Sequence, residues 1–261
     1  MDIQADLDLA TRAAHQAGEV VMGYYKEEYE VREKGAGNPV TDADLEADAV
    51  LKRILLGERP EDGWLSEETR DSPDRLSRSR VWIVDPIDGT KEFIKGIPQF
   101  AISIALAVEG EIAVAAIFNP ARKELFTAVR GGGVWLNGKP VAVTECDALP
   151  QATILASRSE VARGEFERFK DYTIEPIGSI AYKLAMIGSG MADLTFTLTP
   201  KNEWDFAAGA LLVTEGGGQV RVLGGHPQTF NQPDPLVKGV AATNARLFEP
   251  VMTLIGHADA I

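Results

Sequence analysis

Two aspartates lie three residues apart in the stretch Val81–Phe93, which reads VWIVDPIDGTKEF. A short apolar run leads into Asp85, and the Asp88–Gly89 dipeptide is typical of a tight turn. We expect Thr90 to be the N-cap of a following helix. The amides at the start of that helix would attract an anion, so a metal ion with a phosphate is the natural ligand of this stretch.

The same stretch has a simpler interpretation, and it also has a misleading similarity to the motif of another class of phosphatase. Asp-Pro and Asp-Gly are common turn dipeptides, so a strand followed by a plain turn explains them by themselves. We expect Pro86 to end the ladder pairing of the strand, because proline has no N–H to donate. Phosphatases that form an aspartyl-phosphate carry two aspartates one residue closer together, so the spacing of Asp85 and Asp88 argues against that chemistry.

Acidic residues also stand at three other places. Asp42 falls in the first turn of a helix that Thr41 could cap, and Glu67 and Glu68 follow a short predicted strand inside a long polar loop. Asp205 follows the predicted start of another helix. Each is explicable as a helix-dipole complement or a solvated acid. Jointly they suggest a hard-cation site, because Mg²⁺ prefers oxygen ligands and two or three ions roughly 3.5–4 Å apart suit phosphate-ester hydrolysis.

Composition limits the possible partners. The chain has 261 residues, 45% of them hydrophobic, and a net charge of −13, which argues against a nucleic-acid polymer or an anionic membrane as partner. A small anionic substrate stays possible, because bound cations can invert the local charge. Cys146 is the single cysteine, and the N-terminus has no signal-peptide pattern, so we expect a cytoplasmic protein. The histidines, His15, His226 and His257, show no metal-ligand spacing.

The elements that must position these residues fall into two halves. In the first, we expect a helix over Leu7–Tyr25, a turn at Gly35–Pro39, and a second helix to about Leu56 with Asp44 in its capping-box position. Alternating apolar runs then predict an antiparallel meander. Its strands are Phe100–Val108, Glu111–Phe118, Glu124–Arg130, Val134–Leu136 and Val141–Thr144.

The second half follows a linker at Glu145–Pro150 and alternates strands with helices, which indicates an α/β arrangement. The predicted strands are Thr153–Ala156, Tyr172–Ile177, Asp193–Leu198, Gln219–Leu223 and Val237–Ala242. The predicted helices are Glu160–Lys170, Ser179–Gly188, Glu203–Glu215 and Ala245–Ile255.

The order of these motifs resembles the lithium-sensitive, magnesium-dependent phosphatases of the inositol monophosphatase family over essentially the whole chain. Asp42, Glu67-Glu68 and the D-P-I-D-G-T run at Asp85–Thr90 come first, and W-D-x-A-A-G at Trp204–Gly209 follows far downstream. Gly178-Ser179 also fits. The resemblance implies the sugar-phosphatase fold, a layered α-β-α-β-α sandwich that is α+β over residues 1–146 and α/β over residues 147–261.

The resemblance also implies roles for individual residues. Two or three Mg²⁺ ions would be held by Glu67, Asp85, the carbonyl of Ile87, Asp88 and Asp205. Thr90, with Glu67 or Asp42 behind it, would orient the attacking water. The amides of Gly89 and Thr90 would receive the phosphate. Further substrate contacts would come from Lys91, Ser179, Lys183 and Asp205.

Within the family, Thr90–Phe93 is similar to the branch that hydrolyses 3′-phosphoadenosine 5′-phosphate, and Lys183 resembles a lysine of that branch. We therefore expect removal of its 3′-phosphate, a housekeeping step of sulfur assimilation, with lithium sensitivity. The alternatives are an inositol 1-phosphate or fructose 1,6-bisphosphate phosphatase with the same mechanism, and a catalytically idle Mg²⁺-binding regulatory protein. The resemblance implies a monomer or a homodimer.

Overall fold

The structure, a computed structural model, describes residues 2–27, 29–35, 38–224 and 229–256. The α-helices are α1 (Ile3–Tyr24), α2 (Asp42–Glu58), α3 (Thr90–Ile94), α4 (Arg158–Ala162), α5 (Ile180–Gly188), α6 (Glu203–Glu215) and α7 (Phe248–Gly256). The strands of the first half are β1 (Val31–Gly35), β2 (Asn38–Thr41), β3 (Gly63–Ser66), β4 (Arg80–Asp88), β5 (Ala101–Val108), β6 (Glu111–Asn119), β7 (Glu124–Val129), β8 (Val134–Leu136) and β9 (Lys139–Val141). Those of the second half are β10 (Thr153–Ser157), β11 (Thr173–Ile177), β12 (Leu194–Thr197), β13 (Lys201–Asn202), β14 (Gly218–Val222), β15 (Leu236–Val237) and β16 (Val240–Asn244).

The larger sheet has seven strands in the order β3-β4-β5-β6-β7-β8-β9. From β4 onward neighbouring strands are antiparallel, which confirms the predicted meander, whereas β3 pairs with β4 in parallel. Successive side chains of a strand point to opposite faces. Trp82 and Val84 therefore join the core under α1 and α2, while Val81 and Ile83 join the core under α5 and α6. Both faces of the sheet are buried at its central strands β4, β5 and β6.

The smaller sheet has five strands in the order β11-β10-β12-β16-β14. Its one face shares the core with α5 and α6, and its other face, including Ile154 and Phe196, packs with Val251 and Ile255 of α7. The layers are therefore α1 and α2, the seven-stranded sheet, α5 and α6, the five-stranded sheet, and α7. This order confirms the expected α-β-α-β-α sandwich.

Two features near the motifs differ from expectation. β4 does not end at Pro86: its pairing with β5 resumes at Asp88, which lies opposite Ala101 after an irregularity that begins at Asp85. The ladder skips the proline, which has no N–H to donate. Thr90 is not the N-cap of α3 but its first residue, and Gly89 is the N-cap.

Other boundaries move by a few residues. α1 begins at Ile3 rather than Leu7, because the side chain of Asp2 accepts a hydrogen bond from Ala5 N and caps it. The helix expected over Glu160–Lys170 is only the short α4 followed by a 3₁₀ turn at Glu167–Phe169. The expected last strand of the meander, Val141–Thr144, lies earlier, at Lys139–Val141.

Some expectations fall outside the described residues. These are residues 36 and 37 of the predicted Gly35–Pro39 turn, together with His226 and His257. The seven-stranded sheet precedes residue 146 and the five-stranded sheet follows it, but one apolar cluster contains residues of both, and the two-half division stays a prediction. Among the described residues, none of the helices has the length and apolarity needed to cross a membrane.

Candidate metal centre

Asp85 and Asp88 stand at the carboxyl end of β4, as the sequence indicates. Asp85 is 1% exposed, and its Oδ1 accepts a hydrogen bond of 3.0 Å from Ile87 N. Its Oδ2 is buried and has no hydrogen-bond partner within the described part of the chain. The Oδ2 of Asp88 accepts bonds of 2.6 Å from Ser179 Oγ and from Ala181 N. These two donors come from the start of α5, so the second half of the chain orients Asp88.

Asp205 joins the same place from the start of α6. Asn202 and Asp205 form a capping box, in which Asp205 Oδ2 accepts a 2.7 Å bond from Asn202 N. One carboxylate oxygen from each of Asp85, Asp88 and Asp205 lies within 4.8 Å of the others. We call these three residues the acidic cluster. The capping box accounts for the position of one oxygen of Asp205. It does not account for the closeness of Asp205 to two other carboxylates, which a bound cation would explain.

Glu67 faces this cluster because β3 runs parallel to β4. Ser66, the last residue of β3, is in register with Val84, and Glu67 N donates to Val84 O at 3.3 Å. The residues that follow, Glu67 after the end of β3 and Asp85 within β4, thus lie side by side. The negative charge of Glu67 contributes to raising the pKa of Asp85.

The electrostatics of the acidic cluster are unfavourable without a counter-charge. Burial, followed by repulsion from neighbouring carboxylates, raises the pKa of Asp85 well above its ordinary value. Burial raises the pKa of Asp88 to about 6 and, with repulsion from Asp88, that of Asp205 to about 8. An orphaned buried oxygen among mutually repelling carboxylates fits bound cations, and an all-oxygen set of ligands fits Mg²⁺.

Thr90 lies beside the cluster, where Gly89 turns the chain into α3. Gly89 has φ +97°, and a Cβ there would lie 2.9 Å from Gln99 O, so both the conformation and the space require glycine. Thr90 Oγ1 is 3.0 Å from Ile87 O and 3.0 Å from Asp44 Oδ1. Its single proton therefore has two acceptors, which leaves the oxygen free to accept from a third group.

The expectation that Asp42 stands behind Thr90 is wrong. Asp42 Oδ1 forms an ion pair of 2.9 Å with Arg32 Nη2, and its side chain is 38% exposed. Asp44 occupies the expected place and is 1% exposed. Its Oδ2 accepts from Thr41 N at 2.8 Å and Thr41 Oγ1 at 2.6 Å, the capping box that the sequence predicts. The capping box was the sequence signal that could have identified Asp44, because it turns the side chain of the third helical residue toward the interior.

A cleft of about 220 Å³ opens onto these residues. It is lined by the expected residues Glu67, Ile87, Asp88, Gly89, Thr90, Lys91, Ser179, Lys183 and Asp205, and also by Pro39, Glu92, Ser157, Ser159, Ile180 and Lys201. Asp42 is not among its lining residues. We call Lys91, Lys183 and Lys201 the cleft lysines. Sequence reasoning missed Lys201, Ser157 and Ser159, which follow no recognisable motif and reach the cleft only through the fold.

Lys183 is 2% exposed, and burial lowers its pKa to about 8. Glu160, Asp88 and Glu92 act in the opposite direction on that pKa, whereas the charge of Lys201 lowers it further. Ser179 initiates the helix that carries Lys183 and has φ +63°, a rare conformation for a residue with a side chain. Its hydroxyl both caps Tyr182 N at 2.9 Å and donates to Asp88, so α5 is bound to the acidic cluster at its first turn.

Comparison with known proteins accounts for this architecture. The model of the inositol monophosphatase family matches residues 2–255. "Inositol monophosphatase 2" of Solanum lycopersicum is 32% identical over 97% of this chain and 98% of its own length. "Nus factor SuhB" of Escherichia coli K12 is 35% identical over 84% of this chain and 86% of its own length. A solved IMPase structure from Thermotoga maritima superposes with a TM-score of 0.85 at 28% identity and covers 96% of each chain.

The layered fold with this cleft is that of a family of phosphatases. The chain belongs to the inositol monophosphatase family.

Proposed function

We propose that this protein is a Mg²⁺-dependent phosphomonoesterase that hydrolyses an inositol monophosphate with an activated water. The observation that carries the proposal is the orphaned Oδ2 of Asp85 in the acidic cluster, which a bound cation would satisfy. The names of the relatives, among them "Inositol-1-monophosphatase" of Rhizobium meliloti, 35% identical over 81% of this chain, support the substrate class.

Glu67, Asp85, Asp88, Asp205 and the carbonyl of Ile87 would hold two or three Mg²⁺ ions. The bound cations neutralise the phosphate, and they make a nearby water far more acidic than bulk water. The amides of Gly89 and Thr90 would orient the phosphate. Because these groups bind and position rather than react, no covalent intermediate with the chain is required.

Asp44 and Thr90 would accept the proton of the attacking water, with Thr90 passing a proton to Asp44. The Thr90 hydroxyl accepts a hydrogen bond from the water while it donates its own proton to Asp44, 3.0 Å away. Burial raises the pKa of Asp44, which makes this carboxylate a better proton acceptor than an ordinary aspartate. Asp44 thus takes the role that the sequence suggested for Asp42.

A second candidate substrate, 3′-phosphoadenosine 5′-phosphate, is favoured by a separate observation. Lys183 and Lys201 both line the cleft, and an inositol monophosphate has no second anionic group for them to bind. A nucleoside bisphosphate has one. The similarity of Thr90–Phe93 to the nucleotidase branch points the same way.

The deciding experiment is phosphate release with Mg²⁺ from inositol 1-phosphate, 3′-phosphoadenosine 5′-phosphate and fructose 1,6-bisphosphate, each with and without Li⁺. A kcat/KM highest for inositol 1-phosphate supports the first candidate, and one highest for the nucleotide supports the second. Lithium inhibition is expected in either case. Mg²⁺ binding without phosphate release from any of them would contradict the proposal and favour a regulatory protein.

A further inference from the structure

A buried carboxylate outside the acidic cluster braces the segment that carries Glu67. Asp48 lies on α2, one helical turn after Asp44, and is 7% exposed. Its Oδ1 accepts a 2.5 Å bond from Ser66 Oγ, and its Oδ2 accepts a 2.6 Å bond from Thr69 Oγ1. One oxygen of Asp48 therefore accepts from a hydroxyl that precedes the Glu67–Glu68 pair, and the other accepts from a hydroxyl that follows it.

This brace acts where the chain leaves the sheet. Ser66 is the last residue of β3, and Ser66 Oγ also accepts a 3.4 Å contact from Glu68 N. Glu67 comes next, and its N–H donates to Val84 O, beside Asp85 of the acidic cluster. Repulsion between like charges pushes Glu67 away from the cluster. A carboxylate clamp on both sides of Glu67 opposes that displacement.

We infer that Asp48 is a positioning residue that holds Glu67 in its cation-binding place. The inference rests on the proposed function, since it takes Glu67 as a metal ligand. A ligand fixed in advance binds without the entropic cost of ordering its segment, so Asp48 contributes to cation affinity without touching the cation. One helix, α2, then serves both parts of the site, with Asp44 bonded to Thr90 and Asp48 bonded beside Glu67.

The test measures cation binding without substrate, by calorimetric titration of the full chain with Mn²⁺ as the probe. Asp48→Ala is compared with Asp193→Ala, a matched control remote from the cleft lining. Asp193 is also 7% exposed and also accepts two bonds, from Thr144 Oγ1 at 2.5 Å and Thr153 N at 2.7 Å. We expect Asp48→Ala to raise the Mn²⁺ Kd by about 10-fold or more, as supporting residues of metal ligands do, and Asp193→Ala to leave it unchanged.

A second pair of variants covers the case in which Asp48→Ala does not fold. Thr69→Val removes one hydroxyl of the clamp at nearly constant shape and should weaken Mn²⁺ binding, whereas Thr69→Ser keeps the hydroxyl and should restore it. A Thr69→Val protein with wild-type Mn²⁺ affinity, or equal losses for Asp48→Ala and Asp193→Ala, would overturn the inference alone. A wild-type protein that binds no Mn²⁺ would overturn the proposed function and the inference together.

Discussion

The acidic cluster and the cleft lysines line one site but are built differently. Asp85, Asp88 and Asp205 lie at the ends of a strand and a helix, and backbone N–H groups fix one oxygen of each. The lysines extend on long side chains from three separate elements, α3, α5 and β13. Rigid ligands suit chemistry that tolerates little misplacement, whereas long side chains suit contacts to the variable part of a substrate. We therefore expect turnover to depend on the acids and substrate preference to depend on the lysines.

The largest expected effect comes from Asp88→Asn, which removes a negative charge from the acidic cluster. We expect kcat/KM to fall by about 10³-fold or more even at saturating Mg²⁺, on the order of what a metal's Lewis acidity supplies. Steady-state kinetics over a Mg²⁺ series measures it, with a thermal melt to check the fold. Near-normal turnover of Asp88→Asn would contradict the expectation that turnover depends on the acidic cluster.

Two neighbouring carboxylates on α2 sharpen the comparison. Asp44→Asn should lower kcat by about 10²-fold, because an amide can still accept the hydrogen bond of Thr90 but cannot take up its proton. Asp42→Asn should leave kcat within about 2-fold, because an exposed ion pair with Arg32 contributes little. Steady-state kcat values of the two variants test this difference. A larger loss of kcat in Asp42→Asn than in Asp44→Asn would support the sequence-based expectation that Asp42 stands behind Thr90.

Removing a cleft lysine should change substrate preference more than turnover. Lys183→Met and Lys201→Gln should each raise KM for 3′-phosphoadenosine 5′-phosphate by about 10-fold, the scale of one hydrogen bond to a charged group. KM for inositol 1-phosphate should change little. Equal increases in KM for both substrates would mean that the lysines bind the reacting phosphate, and the proposed division of roles would fail.

The smallest effect is a pH dependence of binding. Burial lowers the pKa of Lys183 to about 8, so the ammonium is lost as pH rises above that value. KM for the nucleotide should rise by about fivefold from pH 7 to pH 9, and the rise should disappear in Lys183→Met. The unfolded chain keeps this proton up to its ordinary pKa, so the same group makes the fold more stable as pH rises from 8 to 10.5. A KM profile unaffected by Lys183→Met would contradict this.

The residues in and around the site differ in how well the sequence predicted them. Asp85, Asp88 and Asp205 stand at turns and caps whose local chemistry is legible, and the alternation along β4 and its neighbours predicts the meander. Lys201, Ser157 and Asp48 carry no local signal, because their places depend on how β13, β10 and α2 dock against the rest. Asp44 shows the intermediate case: its cap was predicted, but only the tertiary fold shows that the oxygen left over points at Thr90.

The parallel pairing of β3 and β4 has a consequence for how the protein is made. It brings Glu67 and Asp85 together early in the chain, but Asp205 comes from α6, after the whole meander and after strands β10 to β13 of the second half. A growing chain on the ribosome therefore carries an incomplete set of carboxylates until α6 has emerged and docked. We therefore expect full cation affinity only after α6 has docked, so cation binding would report on a late stage of folding.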